Sequence, residues 1–217
     1  MVQKSYRIQW RRFGLMDRKR MEMVLGIISA ILLTGLGVAL FVHANLGSDT
    51  ITVFVDGVHS FLHVSYGTAS RIYNIAVLII ALIVSYKNIG WATVIYALTV
   101  GFTMDFFEQM LTPLHISNMS IIIRLLCVCL GQLCFGITYA LLIKYRKGMN
   151  QIDAISYAIE EKTHVPFKWI RTGMDVILLM GGWLLGGVVG IGSVIAMTTT
   201  GILIDFFLHL LTKKEQT

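Results

Sequence analysis

GFTMDFFEQML occupies residues 101–111, and GILIDFFLHLL occupies residues 201–211. The phrase Gly-x-x-x-Asp-Phe-Phe thus returns one hundred residues later, each time near the end of an apolar run and each time with an acid inside it. The apolar runs set the class. The chain is 56% hydrophobic and only 14% charged, with a mean hydropathy of +0.74. Soluble domains are about 45–50% apolar and about 25% charged. Met23 to Val42 carries no charge, and Ile121 to Ile143 carries only Arg124. A helix crossing the roughly 30 Å hydrocarbon layer needs about 20 such residues.

The expected fold is therefore an all-α integral membrane protein with six transmembrane helices, near 23–43, 69–86, 89–110, 121–143, 170–188 and 192–211. The first run exceeds a signal-peptide core of about 7–15 residues, and no small-residue cleavage site follows it. It is read as a retained helix. Seven basic residues precede span one, Lys87 lies in the second loop, six lie between Lys144 and Arg171, and Lys213 and Lys214 follow the last span. These sixteen stand against Arg71 and Arg124 on the other side, so the positive-inside rule puts both termini in the cytoplasm.

The net charge of +6 is then a topology signal, with no nucleic-acid partner implied. The basic tail, with Trp10 and Phe13 among its charges, also suits an anionic lipid surface. Cys127, Cys129 and Cys134 lie among Leu, Val and Phe, without zinc spacing or a disulfide framework.

The repeated phrase belongs to a longer self-similarity. Ala39 matches Ala140, Gly47 matches Gly148, Asp49 faces Asn150, and Ile51 faces Ile152. His63-Val64 faces His164-Val165, and Asn74 faces Asp175; after a one-residue slip Gly90 faces Gly190 and Gly101 faces Gly201. Each half reads as span, polar connection with a short helical stretch, span, tight turn, and span ending in Asp-Phe-Phe. Three spans is an odd number, so the second half enters from the opposite side. The expected organisation is a basic cytoplasmic tail (1–22), a first three-helix repeat (23–111), an inverted second repeat (121–211) and a cytoplasmic tail (212–217). Inverted repeats are common in secondary transporters, with substrate sites at the repeat interface.

LGSDTITVFVDGV followed by VSYGTASRIYN, and GGWLLGGVVGIGSV before GILIDFF, resemble the YitT/YczE family of small bacterial membrane proteins. The resemblance runs from about Gly35 to Leu211. It implies a multi-pass protein of the bacterial plasma membrane and no particular biochemical activity. Relatives often carry a proline after the Leu-Gly pair, where this chain has Thr50, and a Gly-Pro-Arg-Asp-like stretch where it reads NQID, keeping only Asp153. Any anion-binding role of that arginine would be lost here.

Ionisable groups at depth cost about 2.5–3.5 kcal/mol each and commonly mark a pathway or a pair. Arg71, Asn74 and Asp105 fall toward the outer face, and Arg171, Asp175 and Asp205 toward the inner one. The candidate solute or ion pathway is therefore Arg71, Asn74, Asp105, Arg171, Asp175 and Asp205, as two related elements flanking a central site. The plainer alternative is that each Arg–Asp pair neutralises itself and fixes helix register. Asp49 joins the candidates because Ser48, Asp49 and Thr50 are N-cap residue types, and a helix start aimed inward attracts anions.

Asp56, His59 and His63 share one helical face, but without a visible supporting partner they read as a solvated stripe, not a metal site. Gly47, Gly67, Gly101, Gly148, Gly190 and Gly201 are the motif glycines, read as close-packing and turn positions. No nucleophile, P-loop or zinc-protease pattern is present, so no enzyme and no cofactor is expected. The leading expectation is a carrier of an unidentified small solute or ion, in the bilayer, with homo-oligomerisation left open. The alternative is a membrane regulator or scaffold acting through its cytoplasmic 144–168 loop.

Overall fold

The computed structural model describes residues 2–86, 89–145 and 151–213. Among them there is no strand. Eight helices follow one another: α1 (Val2–Ala44), α2 (Thr50–Leu62), α3 (Tyr66–Ser85), α4 (Trp91–Leu111), α5 (Ile121–Tyr145), α6 (Gln151–Thr163), α7 (Phe167–Leu184) and α8 (Ile191–Lys213). Four contain stretches long and apolar enough to cross a membrane: Arg20–Ala44, Tyr66–Ser85, Ile121–Lys144 and Ile191–Lys213. Six were expected. The other two, α4 and α7, lie near the expected ranges but are more polar, carrying Asp105 and Glu108 on one and Lys168, Arg171 and Asp175 on the other. The chain is a helical, multi-span membrane protein.

Two boundaries differ from the sequence reading. Helix α1 does not begin at residue 23 but continues back through the basic tail to Val2. Helix α7 stops at Leu184 instead of 188. Gly186 takes a left-handed φ of 98°, and the amide of Gly187 returns to the Gly182 carbonyl, closing the last turn.

The break after α1 has physical causes. Asn45 (φ 49°) and Gly47 (φ 85°) leave the helical region. Gly47 is pressed against the backbone of Gly190 and the Ser193 hydroxyl, so no side chain fits there. Arg124 reaches across from α5, its Nε donating to the Ala44 carbonyl at 2.7 Å and its Nη2 to the Asn45 carbonyl at 2.8 Å. These satisfy carbonyls that the helix end would leave orphaned.

The short helices α2 and α6 end alike, on His63 (φ 52°) and His164 (φ 59°), both left-handed without being glycine. Packing is crosswise. Helix α2 lies on α7 and α6 lies on α3, while α2 also meets α3 and α6 meets α7. Helix α1 packs on α4 and α5 on α8, and α1 and α5 meet along the middle. The main core gathers there, with Phe41 and Phe135 stacked at 5.4 Å and Val38, Val100 and Val128 buried around them. The packing of α3 on α4 has no comparably extensive counterpart between α7 and α8.

Candidate functional site

Where the halves meet, a cavity of about 40 Å³ lies among α1 to α6. The first half contributes Thr34, Val38, Asp49, Ile51, Thr52, Val55, Tyr66, Ser70, Tyr73, Asn74, Tyr96 and Met104, and the second contributes Phe135, Tyr139 and Gln151. Most of its polar groups are spoken for. The Tyr66 hydroxyl donates to the Thr52 carbonyl at 3.0 Å, and the Tyr96 hydroxyl donates to Thr34 Oγ1 at 3.3 Å. Asn74 Nδ2 donates to the Ser70 carbonyl at 2.9 Å, and Asn74 Oδ1 accepts from Gln151 Nε2 at 3.3 Å, which joins α3 to α6.

Two oxygens are not spoken for. Asp49 Oδ1 and the Tyr73 hydroxyl are buried without a hydrogen-bond partner. Leaving such a group unmet costs about 1–3 kcal/mol, so each points to something that completes it.

Asp49 is held by local geometry. It is the N-cap of α2, with extended backbone (φ −65°, ψ 164°), and its carbonyl accepts from Val53 at 2.9 Å. Burial pushes the Asp49 carboxyl above its ordinary 3.8. The Thr52 hydroxyl and the Thr52 and Ile51 amides favour the charge and limit that rise, while the Asp175 carboxylate adds to it. No hydrogen bond of good geometry closes the cap.

The other candidates divide into three groups. Arg71 Nη1 lies 3.5 Å from Asp105 Oδ2, its Nη2 donates to Thr68 Oγ1 at 2.7 Å, and the guanidinium sits 4.5 Å from the Phe102 ring centre. Asp105 Oδ1 accepts the Gly67 amide at 2.7 Å, at the first turn of α3. Gly67 and Gly101 are in backbone contact, so α3 and α4 are joined by two glycines and one ion pair. Arg171 and Asp175 pair at 3.1 Å, and Thr50 Oγ1 donates to Asp175 Oδ1 at 2.9 Å, tying α7 to the first turn of α2.

Asp205 stands apart from Arg171 and Asp175. Its side chain is 79% exposed, with His209 at 3.8 Å, because α8 packs along α5 and not along α7. Asn74 likewise leaves the Arg71–Asp105 pair and turns to the cavity. Among the glycines, Gly190 and Gly192 abut the Leu46–Gly47 turn, whereas Gly201 has open space where a side chain would begin. Gly148 lies outside the described residues.

The Asp56–His59–His63 stripe is dispersed among other partners. Asp56 Oδ2 accepts the Val188 amide at 2.7 Å, His59 Nδ1 bonds the Val64 carbonyl at 2.6 Å, and His63 ends α2. In the 144–168 connection, Ile152, Ala154, Ile155, Ser156 and Ala158 of α6 are buried. Sequence reasoning missed the tyrosines Tyr66, Tyr73, Tyr96 and Tyr139, and also Gln151. Hydroxyl-bearing rings inside apolar runs were the available signal, since each needs a partner once buried.

No solved structure matches the chain. A Haemophilus influenzae "Uncharacterized protein" is 24% identical over 187 residues, covering 86% of this chain and 84% of that one. The "Uncharacterized membrane protein YczE" of Bacillus subtilis is 27% identical over 139 residues, covering 61% and 63%. "Uncharacterized protein YyaS" of the same organism is 21% identical over 191 residues, covering 86% and 94%. A family model matches residues 21–209, and the chain belongs to that family, the family of unknown function DUF6198.

Proposed function

We propose that this chain is a small-solute or ion carrier of the bacterial plasma membrane, built as two inverted three-span repeats with both termini in the cytoplasm. The observation that carries this reading is the cavity at the junction of the halves, lined from both and holding two unpartnered buried oxygens. A site at a repeat interface is where carriers of this architecture bind. The crosswise packing of α2 on α7 and α6 on α3, and the matching left-handed His63 and His164, support the inverted repeat.

The same reading gives the departure from symmetry a meaning. Helices α3 and α4 are closed on each other through Gly67, Gly101 and the Arg71–Asp105 pair. Their counterparts α7 and α8 stand apart, with Gly201 and Asp205 facing outward. Alternating access would exchange the two arrangements, closing α7 on α8 while α3 parts from α4. The scaffold reading finds less support, since α6, the helix of the 144–168 loop, is buried against α3 and α7.

The test is reconstitution into proteoliposomes and current or tracer recordings with a panel of small solutes and ions. Uptake above empty vesicles, reduced by Asp49→Asn and Asp105→Asn in protein that stays folded, supports the carrier. A panel without uptake, from protein with an intact melting transition, counts against it.

A further inference from the structure

The central cavity has a definite electrical character, which narrows what it can take if it is the binding site of the proposed carrier. Asp49 lines it, and no lysine or arginine is among its lining residues. Beyond the lining, Thr50 donates to Asp175, which pairs with Arg171 at 3.1 Å. Asp49 is the one acid among the lining residues. An anion entering there would meet the Asp49 carboxylate, with no basic side chain in the lining. Held away from water, the Asp49 carboxyl takes up either a proton or a counter-ion.

The unmet groups are oxygens: a carboxylate oxygen, which only accepts, and a phenol oxygen, which can accept. A cation between Asp49 Oδ1 and the Tyr73 hydroxyl would satisfy both. The faces of neighbouring tyrosines such as Tyr66 and Tyr96 are also favourable to positive charge. Size sets a further limit. About 40 Å³ holds roughly two or three water molecules. That room admits an alkali-metal or ammonium ion.

We propose that the cavity between the two halves is a binding site for a small monovalent cation, coordinated by Asp49 and the Tyr73 hydroxyl. The ion is either the transported species or the one whose gradient drives transport. Both roles require the same oxygen-lined cavity with Asp49 in its wall.

The experiment uses the full-length protein in detergent at constant ionic strength, with choline chloride as the blank. Sodium, potassium and ammonium chloride replace choline in separate titrations. At least one is expected to raise the melting temperature saturably, on the order of 5 °C. Asp49→Asn should abolish that rise, and Tyr73→Phe should shift its midpoint several-fold to higher concentration. Equal melting in all four salts, or a rise that persists in Asp49→Asn, overturns the proposal. Should Asp49→Asn fail to fold, Tyr73→Phe carries the test, and an unchanged midpoint overturns it. Proteoliposome flux keeps this inference separate from the carrier reading. A cation-specific rise without flux of any solute supports the site and removes the carrier. Flux without a cation-specific rise keeps the carrier and removes this site.

Discussion

Asp49 and Asp105 both sit where the chain leads into or joins helices of the first half, yet their surroundings give them opposite tasks. Asp105 accepts the Gly67 amide on one oxygen and faces Arg71 Nη1 at 3.5 Å on the other. Its replacement by alanine should cost about 1–3 kcal/mol, because it strands a half-buried guanidinium and an amide of the first turn. Chemical unfolding in detergent would measure it, and a cost near zero would mean that the pair is dispensable. Asp49 has an oxygen with nothing on it, in a place where burial favours the protonated acid. In the absence of a bound cation the folded chain then holds this proton more tightly than the unfolded chain does. Stability should fall as the pH rises from 3.8 through the raised folded value. Asp49→Asn removes the titration, so the variant should gain on the wild type across that window. Melting curves at stepped pH in choline buffer read the difference, and parallel curves would show that Asp49 is not the group responsible.

At the scale of elements, the sequence made the helices legible and left their partners obscure. Apolar runs bounded by Gly, Pro and polar residues predicted the six long helices, and the connection after Ala39 predicted a short helix in each half. Periodicity within a run does not say which helix lies against which. The phrase Gly-x-x-x-Asp-Phe-Phe shows the limit: its two copies have nearly the same local shape, with Phe106–Phe107 and Phe206–Phe207 edge to face at 77° and 73°. Their surroundings differ entirely. A Cβ on Gly101 would strike the Gly67 backbone, while one on Gly201 would meet nothing. Gly101→Ala should therefore destabilise by about 1–3 kcal/mol through overpacking, and Gly201→Ala should change stability little. Equal effects on the two midpoints would mean that α7 and α8 are packed as α3 and α4 are. The cavity was only half legible, since Asn74 and Asp49 stood out as polar in apolar company. Tyr73 and Gln151 did not, because nothing in the local sequence says that their ends converge.

Across the whole molecule, one inequality between the halves carries the mechanism. Helices α3 and α4 pack on each other, α7 and α8 do not do so to a comparable extent, and the phrase Gly-x-x-x-Asp-Phe-Phe lies in both α4 and α8. A resting fold could leave α8 apart from α7 permanently, resting chiefly on α5. A carrier could not, because access would then open to one side only. These differ in what they demand of Gly201, whose surroundings are empty here but would fill if α8 closed on α7 as α4 closes on α3. Gly201→Trp places a large ring on that face, where a side chain starts in open space. The melting temperature should stay within about a degree or two of the wild type, since surface substitutions that meet no neighbour usually shift stability by less than about 0.5 kcal/mol. Transport in proteoliposomes should nevertheless fall at least tenfold, because the ring would hold the second half open. Helices α3 and α4 should stay closed in that variant, so a bifunctional reagent joining cysteines put in place of Arg71 and Asp105 should cross-link them more completely with Gly201→Trp than without it. Unchanged transport, with the tryptophan in place and the protein folded, would mean that α7 and α8 never close, and alternating access by exchange of the two halves would fall with it.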